Sequence, residues 1–290
     1  MTARIRDWLS LVRFSHTLFA LPFALGSLVV AERGVPRLRV LLPVLLCMVA
    51  ARNAAMAFNR LADRDVDALN ARTARRHLPA GLLAPRQVAL FVAVNALLFL
   101  LGAWLLNPLA GILAIPTLVV LLGYSFLKRF TWCANFGLGL ALSIAPMGAW
   151  VASRGSLHAF PILLGLAVFL WSSGFDIVYA TQDYDADVRC RLHSVPQRFG
   201  IKGALRIAMA LHLAMLGVLA AVGLLCPMPW PWFVASACAV AAIVYEHLFR
   251  KSASLETMNA DFFLANVVVS AILMVGMSAS VLVQRLSQMQ

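Results

Sequence analysis

The sequence predicts an all-α, polytopic membrane protein, and its composition carries that prediction. Of its 290 residues, 62% are hydrophobic and 12% are charged, and the mean hydropathy is +0.86. Soluble domains are far less apolar than this. Apolar windows of about twenty residues recur along the chain, and each is long enough to cross a bilayer as a helix.

Nine such windows predict nine transmembrane helices within a single domain over residues 1–290. Turn and breaker residues separate them, for example between Gly34 and Pro36 and between Cys226 and Pro229. No cleavable signal peptide is expected, because the first apolar window lengthens into a full span. The predicted spans lie near residues 16–32, 40–62, 86–106, 109–127, 132–152, 158–182, 203–225, 231–249 and 260–284.

A polar stretch that begins at Arg52 inside the second window interrupts this apolar pattern. Within it Asn59, Asp63 and Asp67 follow one another at intervals of four residues. On a helix their side chains stack on one face about a turn apart, and Arg52 belongs to the same stripe. Asp65 points to the opposite side, so we interpret it as a solvated charge.

A second stretch, which begins at Asp176, has the same pattern. Asp176, Tyr179, Asp183 and Asp187 share one helix face, whereas Asp185 faces away. The two stretches therefore predict two helices that each carry a ladder of carboxylates at the same end of the membrane.

Acidic residues are rare elsewhere, since seven of the 12 in the chain lie in these two stretches. A carboxylate within a span costs roughly 2.5–3.5 kcal/mol on insertion scales, so its presence calls for a function. A single pair of aspartates four residues apart is more often a solvated helix end. Two copies at matching depth, in a chain this poor in acids, argue against that interpretation.

The basic residues predict the orientation of the chain. Eighteen Lys and Arg residues lie at the N-terminus and in the loops after the second, fourth, sixth and eighth windows, against five on the opposite side. This bias places the N-terminus and both aspartate stretches in the cytoplasm, and the protein in the cell inner (cytoplasmic) membrane. It also accounts for the net charge of +12. No basic patch interleaved with aromatic residues indicates nucleic-acid binding.

Two facing carboxylate ladders suit a hard cation and the anion that it carries. Mg²⁺ prefers oxygen ligands, takes one or two carboxylates from a protein and completes its shell with water and substrate phosphate. Two or more Mg²⁺ ions between the ladders would hold a diphosphate. Nearby basic residues would neutralise its remaining charge; these are Arg64, Arg72, Lys128, Arg129 and Arg189. The five cysteines and six histidines show no ligand spacing, so we interpret them as packing or loop residues.

Both stretches resemble the signatures of a known family. NRLADRDVDALNARTARRHLPAG is similar to the first signature of the UbiA superfamily of membrane-embedded aromatic prenyltransferases, and DIVYATQDYDADVRCRLHSVPQRFG to its second. RFSHTLFALPFALGS and YSFLKRFTW also match, so the resemblance covers essentially the whole chain. Within the superfamily the chain looks most like the 4-hydroxybenzoate polyprenyltransferases, including relatives assigned to menaquinone formation by the futalosine route.

The resemblance implies a fold, an activity and residue roles. The helices would enclose an active-site cavity that faces the cytoplasm, and the enzyme would transfer a polyprenyl group from an allylic diphosphate to a small aromatic acid. Asp176 and Tyr179 would position the acceptor or remove its ring proton, and Arg52 or Arg13 would pair with its carboxylate. The implied Mg²⁺ ligands are Asn59, Asp63, Asp67, Asp183 and Asp187, and the diphosphate would contact Arg64, Arg72, Lys128 and Arg129.

Two positions depart from the family pattern. Arg60 follows Asn59 where the family often has aspartate, a variant associated with the same subgroup. Arg191 stands where the family often has glycine, three residues before Ser194. The metal ligands are retained, so the second departure concerns the shape of the loop rather than the chemistry.

Other functions remain open on the sequence alone. The same chemistry on a naphthoate, homogentisate or tetrapyrrole ring is one, and an inactive assembly protein with the same fold is another. A secondary transporter coupled through carboxylates would place its acids near mid-bilayer. Here the acids lie at helix ends among arginines, which favours phosphate chemistry.

Overall fold

The computed structural model describes residues 7–289 except 9, 13–18, 71–72 and 250–254. The described residues form helices, short 3-10 turns and loops, with no β-strand among them. In chain order the helices are α1 (Leu21–Glu32), α2 (Leu38–Ala62), α3 (Arg64–Leu69), α4 (Pro85–Leu106), α5 (Pro108–Gly123), α6 (Ala134–Arg154), α7 (Ala159–Ala180), α8 (Tyr184–Arg189), α9 (Val195–Leu225), α10 (Trp230–Phe249) and α11 (Leu255–Gln288).

Seven of the described helical segments are long and apolar enough to cross a membrane. Four of them are the single helices α2, α4, α6 and α9. The other three are α5 together with the turn that follows it, the segment from α7 through α8, and the part of α11 from Asn266 onward. The protein is thus all-α and multi-pass. Two of the nine predicted spans are shorter apolar helices, Leu21–Glu32 and Trp230–Tyr245. The first predicted span begins at residue 16, which lies outside the described residues.

Local sequence signals determine where the helices begin and end. Proline occupies the first position of α4 and α5, where its missing N–H would have no helical partner in any case. The Asn107 side chain accepts a hydrogen bond from the Ala110 N–H and so caps α5. Ser194 caps α9 in the same way through Gln197. Helix α6 ends at Arg154 and is followed by Gly155, whose φ of 62° is the left-handed conformation that glycine adopts readily.

The packed core of the bundle lies between α1, α6, α7, α9, α10 and α11. Its largest fully buried side chains are Phe23, Trp171 and Trp232. Close approach of α6 to α7 depends on Gly139, because a Cβ there would collide with Ser173. His212 is buried beside the Trp171 carbonyl, which agrees with its predicted packing role.

The other side of the bundle is more loosely built. Helix α2 packs along α4 and extends to α5, while α5 buries only Gly111 and Ala114. Large apolar side chains of α4 and α5, such as Leu105 and Val119, are exposed, as expected of membrane helices that contact lipid. Space is therefore left between α2, α4, α5 and α6, next to the helix ends that carry the aspartates.

Candidate active site

The first aspartate motif is bent rather than straight. Helix α2 ends at Ala62, Asp63 has φ −93° and ψ 3°, and α3 starts at Arg64. The stripe of Asn59, Asp63 and Asp67 predicted from helical spacing is thus divided between α2 and α3. Arg129 donates a hydrogen bond to the Ala62 carbonyl at the end of α2. Helical hydrogen bonding continues across this point, because the Asp63 and Asp67 N–H groups still bond to the carbonyls four residues earlier.

The second motif bends at the equivalent aspartate. Helix α7 ends at Ala180, a 3-10 turn covers Thr181–Asp183, and α8 follows from Tyr184. Asp183 has φ −96° and ψ 5°, almost the values of Asp63. This sparsely populated backbone region is common at active sites. The two motifs thus share their local structure as well as their spacing.

The two motifs meet at one cavity. The Asn70 side chain, at the end of α3, donates to Asp183 Oδ1 at 3.3 Å across 113 residues of chain. The cavity has a volume of about 270 Å³. Its lining includes the five predicted metal ligands and five other predicted site residues: Asn59, Asp63, Asp67, Asp183 and Asp187, with Arg52, Lys128, Arg129, Asp176 and Tyr179.

Side chains from several elements hold the carboxylates in place. Arg76 Nη1 lies 2.7 Å from both oxygens of Asp67. Ser194 donates to Asp187 Oδ2 at 2.8 Å, and Ser194 is itself fixed as the cap of α9. Because Asp67 and Asp187 are nearly buried, these donors offset much of their desolvation.

The remaining acidic groups are also held. Asn59 donates to Asp63 Oδ2 at 3.1 Å, so two predicted ligands of the first motif are already adjacent. Asn135 of α6 donates to Asp176 Oδ2 at 2.8 Å, and its own oxygen accepts from the Val195 N–H. The start of α9 and the carboxyl end of α7 are therefore joined through one buried amide.

The charge balance of the cavity is visible at Asp63. Burial raises the pKa of this carboxyl above its ordinary value, and the nearby charge of Asp67 raises it further. Lys128 and Arg129 act in the opposite direction but do not outweigh these effects. An added cation would relieve the repulsion between the two carboxylates.

The donor set fits Mg²⁺. Carboxylate and amide oxygens from both motifs line the cavity, and no histidine is among its described lining residues. No three acidic, histidine or cysteine side chains of the described residues lie close enough to form a metal cage by themselves. Mg²⁺ needs no such cage, since it usually takes one or two protein carboxylates and shares the rest of its shell with phosphate and water.

An apolar channel of about 390 Å³ adjoins the polar cavity. The two spaces are adjacent, because both are bordered by Arg52, Met56, Tyr124, Leu138 and Leu142. The channel continues between α2, α4, α5 and α6 to the far end of α6, where Val151, Ala152 and Leu157 line it. An elongated molecule with a polar head and a hydrocarbon tail fits this combination.

Three predicted phosphate contacts are not part of the described cavity. Arg64 and Arg189 have exposed side chains that do not line it, and Arg64 pairs with Asp65 at 3.3 Å on the outer surface. The helices α3 and α8 turn these arginines away from the face that carries the aspartates. Arg72 lies outside the described residues, as does Arg13. Asp65 and Asp185 are exposed, as the helical spacing predicted.

Sequence reasoning missed several residues of the site. Asn70 continues the stripe of Asp63 and Asp67, so the helical spacing could have identified it. Arg76 was not among the basic residues predicted for the site, although it holds Asp67. Asn135 is remote from Asp176 in the chain, and nothing in the sequence links the two. Ser194 follows Asp187 by only seven residues within the second motif, but its spacing alone does not indicate that it holds this carboxylate.

The two departures from the family pattern have clear positions. Arg60 is nearly buried and lines the cavity. The arginine at this position, where the family often has aspartate, therefore adds positive charge to the site. Arg191 adopts φ 53°, the left-handed conformation that glycine favours. The loop therefore keeps a glycine-like backbone even though the residue is arginine.

Comparison with known proteins agrees with this geometry. The model of the UbiA prenyltransferase family matches residues 20–267. The chain is 32% identical over 260 residues to the 4-hydroxybenzoate octaprenyltransferase of Aliivibrio fischeri strain MJ11, covering 90% of each protein. It is 35% identical over 199 residues to that of Vibrio cholerae serotype O1, covering 69% of this chain and 70% of the relative.

Solved structures give the same assignment. The apo structure of a UbiA homolog from Aeropyrum pernix K1 superimposes with a TM-score of 0.81 at 29% identity, covering 93% of this chain and 98% of that one. A UbiA homolog from Archaeoglobus fulgidus bound to DMAPP and Mg²⁺ has a TM-score of 0.74 at 22% identity, covering 94% and 99%, and shares the fold. The chain belongs to the UbiA prenyltransferase family and is a membrane-embedded transferase.

Proposed function

We propose that this protein moves a polyprenyl group from an allylic polyprenyl diphosphate to the C3 position of 4-hydroxybenzoate, a Mg²⁺-dependent step of quinone biosynthesis. The observation that carries the proposal is the junction of a carboxylate-lined cavity with an apolar channel. A prenyl diphosphate has the same two parts. The names of the relatives from Aliivibrio and Vibrio support the choice of acceptor.

The diphosphate would lie between the two motifs. The oxygens of Asn59, Asp63, Asp67, Asp183 and Asp187 would hold Mg²⁺, which supplies positive charge to the departing diphosphate. Lys128, Arg129 and Arg76 line the same cavity, and their charges and N–H groups would bind the remaining phosphate oxygens. Charge stabilisation of this kind usually makes the largest contribution to catalysis.

The reaction exchanges one bond for another. The bond between the allylic carbon and the diphosphate oxygen breaks, and the electron pair leaves with the diphosphate. The ring carbon ortho to the phenol oxygen forms a bond to the allylic carbon, and the ring then loses its proton. Asp176 and Tyr179 line the cavity beside the channel junction and would position the acceptor or take that proton. Asn135 would hold Asp176 for this role.

The acceptor would sit where the polar cavity meets the channel. Arg52 borders both spaces, so its guanidinium would pair with the carboxylate of the acceptor while the ring lies near the allylic carbon. The apolar walls keep water away from this junction and so protect the allylic cation from hydrolysis.

The same proposal includes an orientation. The cavity lies at the end of the bundle where the basic loops collect, which supports a cytoplasmic opening in the inner membrane. A single cysteine at position 185, introduced in place of the exposed Asp185 after the five native cysteines are replaced, tests this. It should resist a membrane-impermeant thiol reagent in intact spheroplasts, whereas a cysteine in place of Arg154 should react. Labelling of position 185 from outside would reverse the proposed orientation.

The activity is tested with membranes that contain the protein, labelled octaprenyl diphosphate, Mg²⁺ and a panel of aromatic acids. We expect prenylated 4-hydroxybenzoate, and no product when EDTA is present. Exclusive product from 1,4-dihydroxy-2-naphthoate would move the assignment to menaquinone formation. No product from any ring would contradict the transferase proposal.

A further inference from the structure

Among the described residues that line the apolar channel, one lacks a side chain. Gly148 of α6 lines the channel, and a Cβ added to it meets no atom within 4 Å. Gly139 in the same helix is different, because a Cβ there collides with Ser173 of α7. Gly139 therefore serves helix packing, whereas the missing side chain of Gly148 leaves the channel open.

Gly148 lies part of the way along the channel. Leu138 borders both the polar cavity and the channel, and Gly148 is about 15 Å farther along the same helix at roughly 1.5 Å per residue. Val151 and Ala152 line the channel beyond it, and Asn107 fixes the helix there by donating to both of their carbonyls. Gly148 thus separates a near part from a far part of the channel.

We propose that Gly148 determines the length of the hydrocarbon tail that the enzyme accepts. This inference depends on the proposed function, since the occupant is the tail of the prenyl diphosphate. The shared border of the two spaces carries it: a donor whose diphosphate lies among the carboxylates would extend its tail into the adjacent apolar channel, whose lining includes the exposed Gly148. A geranyl tail ends before this position, whereas an octaprenyl tail extends well beyond it.

A larger side chain at this position would act as a stop. The backbone at Gly148 is helical, so a phenylalanine or leucine adds bulk without backbone strain. Its side chain would project into the space that a long tail needs and leave the near part of the channel clear. Filling an occupied apolar site in this way lowers the affinity for a long tail by about tenfold or more.

The test compares kcat/KM for geranyl and octaprenyl diphosphate, with Mg²⁺ and 4-hydroxybenzoate, in wild type and variants. For Gly148→Phe we expect the octaprenyl-to-geranyl ratio to fall by about tenfold or more, and for Gly148→Leu by a smaller factor. Taking the ratio within one preparation removes any difference in the amount of folded protein. Gly217→Phe is the matched control, because a Cβ at Gly217 also meets nothing within 4 Å but Gly217 lies on the outside of α9, away from the channel.

An unchanged ratio in both Gly148 variants would overturn the inference, and so would an equal fall in Gly217→Phe. Equal loss of both donors in the Gly148 variants would also count against it, because a stop in the channel spares the shorter tail. A wild-type protein that transfers neither donor would contradict the proposed function itself and this assignment with it. A wild type active on both donors with an unchanged variant ratio would contradict only the role of Gly148.

Discussion

The amide of Asn70 donates a hydrogen bond to Asp183 at 3.3 Å and so joins the end of the first aspartate motif to the second. Asn70 follows α3 with an extended backbone, which directs its side chain across the cavity. Asp183 occupies the bend between α7 and α8. This contact fixes the distance between two sets of carboxylates that the chain separates widely.

Replacing Asn70 should therefore weaken metal binding without removing a predicted ligand. We expect Asn70→Ala to raise the Mg²⁺ concentration for half-maximal prenyl transfer by about tenfold, because a lost hydrogen bond to a charged group costs roughly 1.5–3 kcal/mol. A Mg²⁺ titration of activity measures this. Asp65→Asn is the control, since its exposed pair with Arg64 contributes little. Equal Mg²⁺ requirements in Asn70→Ala and wild type would exclude the bridging role.

The left-handed backbone of Arg191 offers a stability test. A non-glycine residue in this conformation destabilises the folded protein by roughly 1–2 kcal/mol. Glycine avoids this strain, but it loses more conformational entropy on folding, which offsets part of the gain. We expect Arg191→Gly to stabilise the protein by about 1 kcal/mol or less, seen as a higher thermal midpoint in detergent. Arg189→Gly should lower the midpoint, because Arg189 lies in α8. A lower midpoint for Arg191→Gly would mean that the arginine side chain contributes more than its backbone costs.

The raised pKa of Asp63 predicts that the charge of this carboxylate, which Mg²⁺ binding would use, destabilises the metal-free protein. The folded, metal-free protein holds the proton of Asp63 more tightly than the unfolded chain does, because burial and Asp67 disfavour its charge. The contribution of Asp63 to the free energy of unfolding is therefore favourable at low pH, and it is lost as the pH rises through the raised pKa. Asp63→Asn removes the charge, and its amide oxygen still accepts from Asn59.

We accordingly expect the metal-free Asp63→Asn variant to melt at a higher temperature than wild type at pH 7, with the difference shrinking towards pH 4. Mg²⁺ should raise the melting temperature of wild type more at pH 7 than at pH 4, because the proton competes with the metal. Asp185→Asn should behave like wild type. A metal-free Asp63→Asn protein that is less stable than wild type at pH 7 would contradict this account of the cavity's charge.

Much of the site could be predicted from helical spacing. The intervals between Asn59, Asp63 and Asp67, and between Asp183 and Asp187, identified the faces that line the cavity. The same spacing placed Asp65 and Asp185 outside it. Apolar windows likewise located most of the membrane helices, because length and hydropathy are properties of a local segment.

The remainder depends on contacts between distant segments. Nothing local shows that Asn135 would hold Asp176, or that Arg129 would bond the Ala62 carbonyl at the bend that ends α2. The side to which α3 and α8 turn after their bends also decides that Arg64 and Arg189 point outward. The spacing of four residues from Asp185 to Arg189 indicates the outward direction of Arg189, whereas the direction of Arg64 depends on how α3 follows α2.

The central claim is that carboxylates from both motifs act on one diphosphate. The most direct measurement is the initial rate of Mg²⁺-dependent prenyl transfer to 4-hydroxybenzoate by Asp183→Asn and Asp63→Asn, with Asp185→Asn and Asp65→Asn as controls. We expect each cavity variant to lose about 100-fold or more, the effect of removing one preorganised charge-stabilising group, while both controls keep wild-type rates. Wild-type rates in either cavity variant, from folded protein, would contradict the claim.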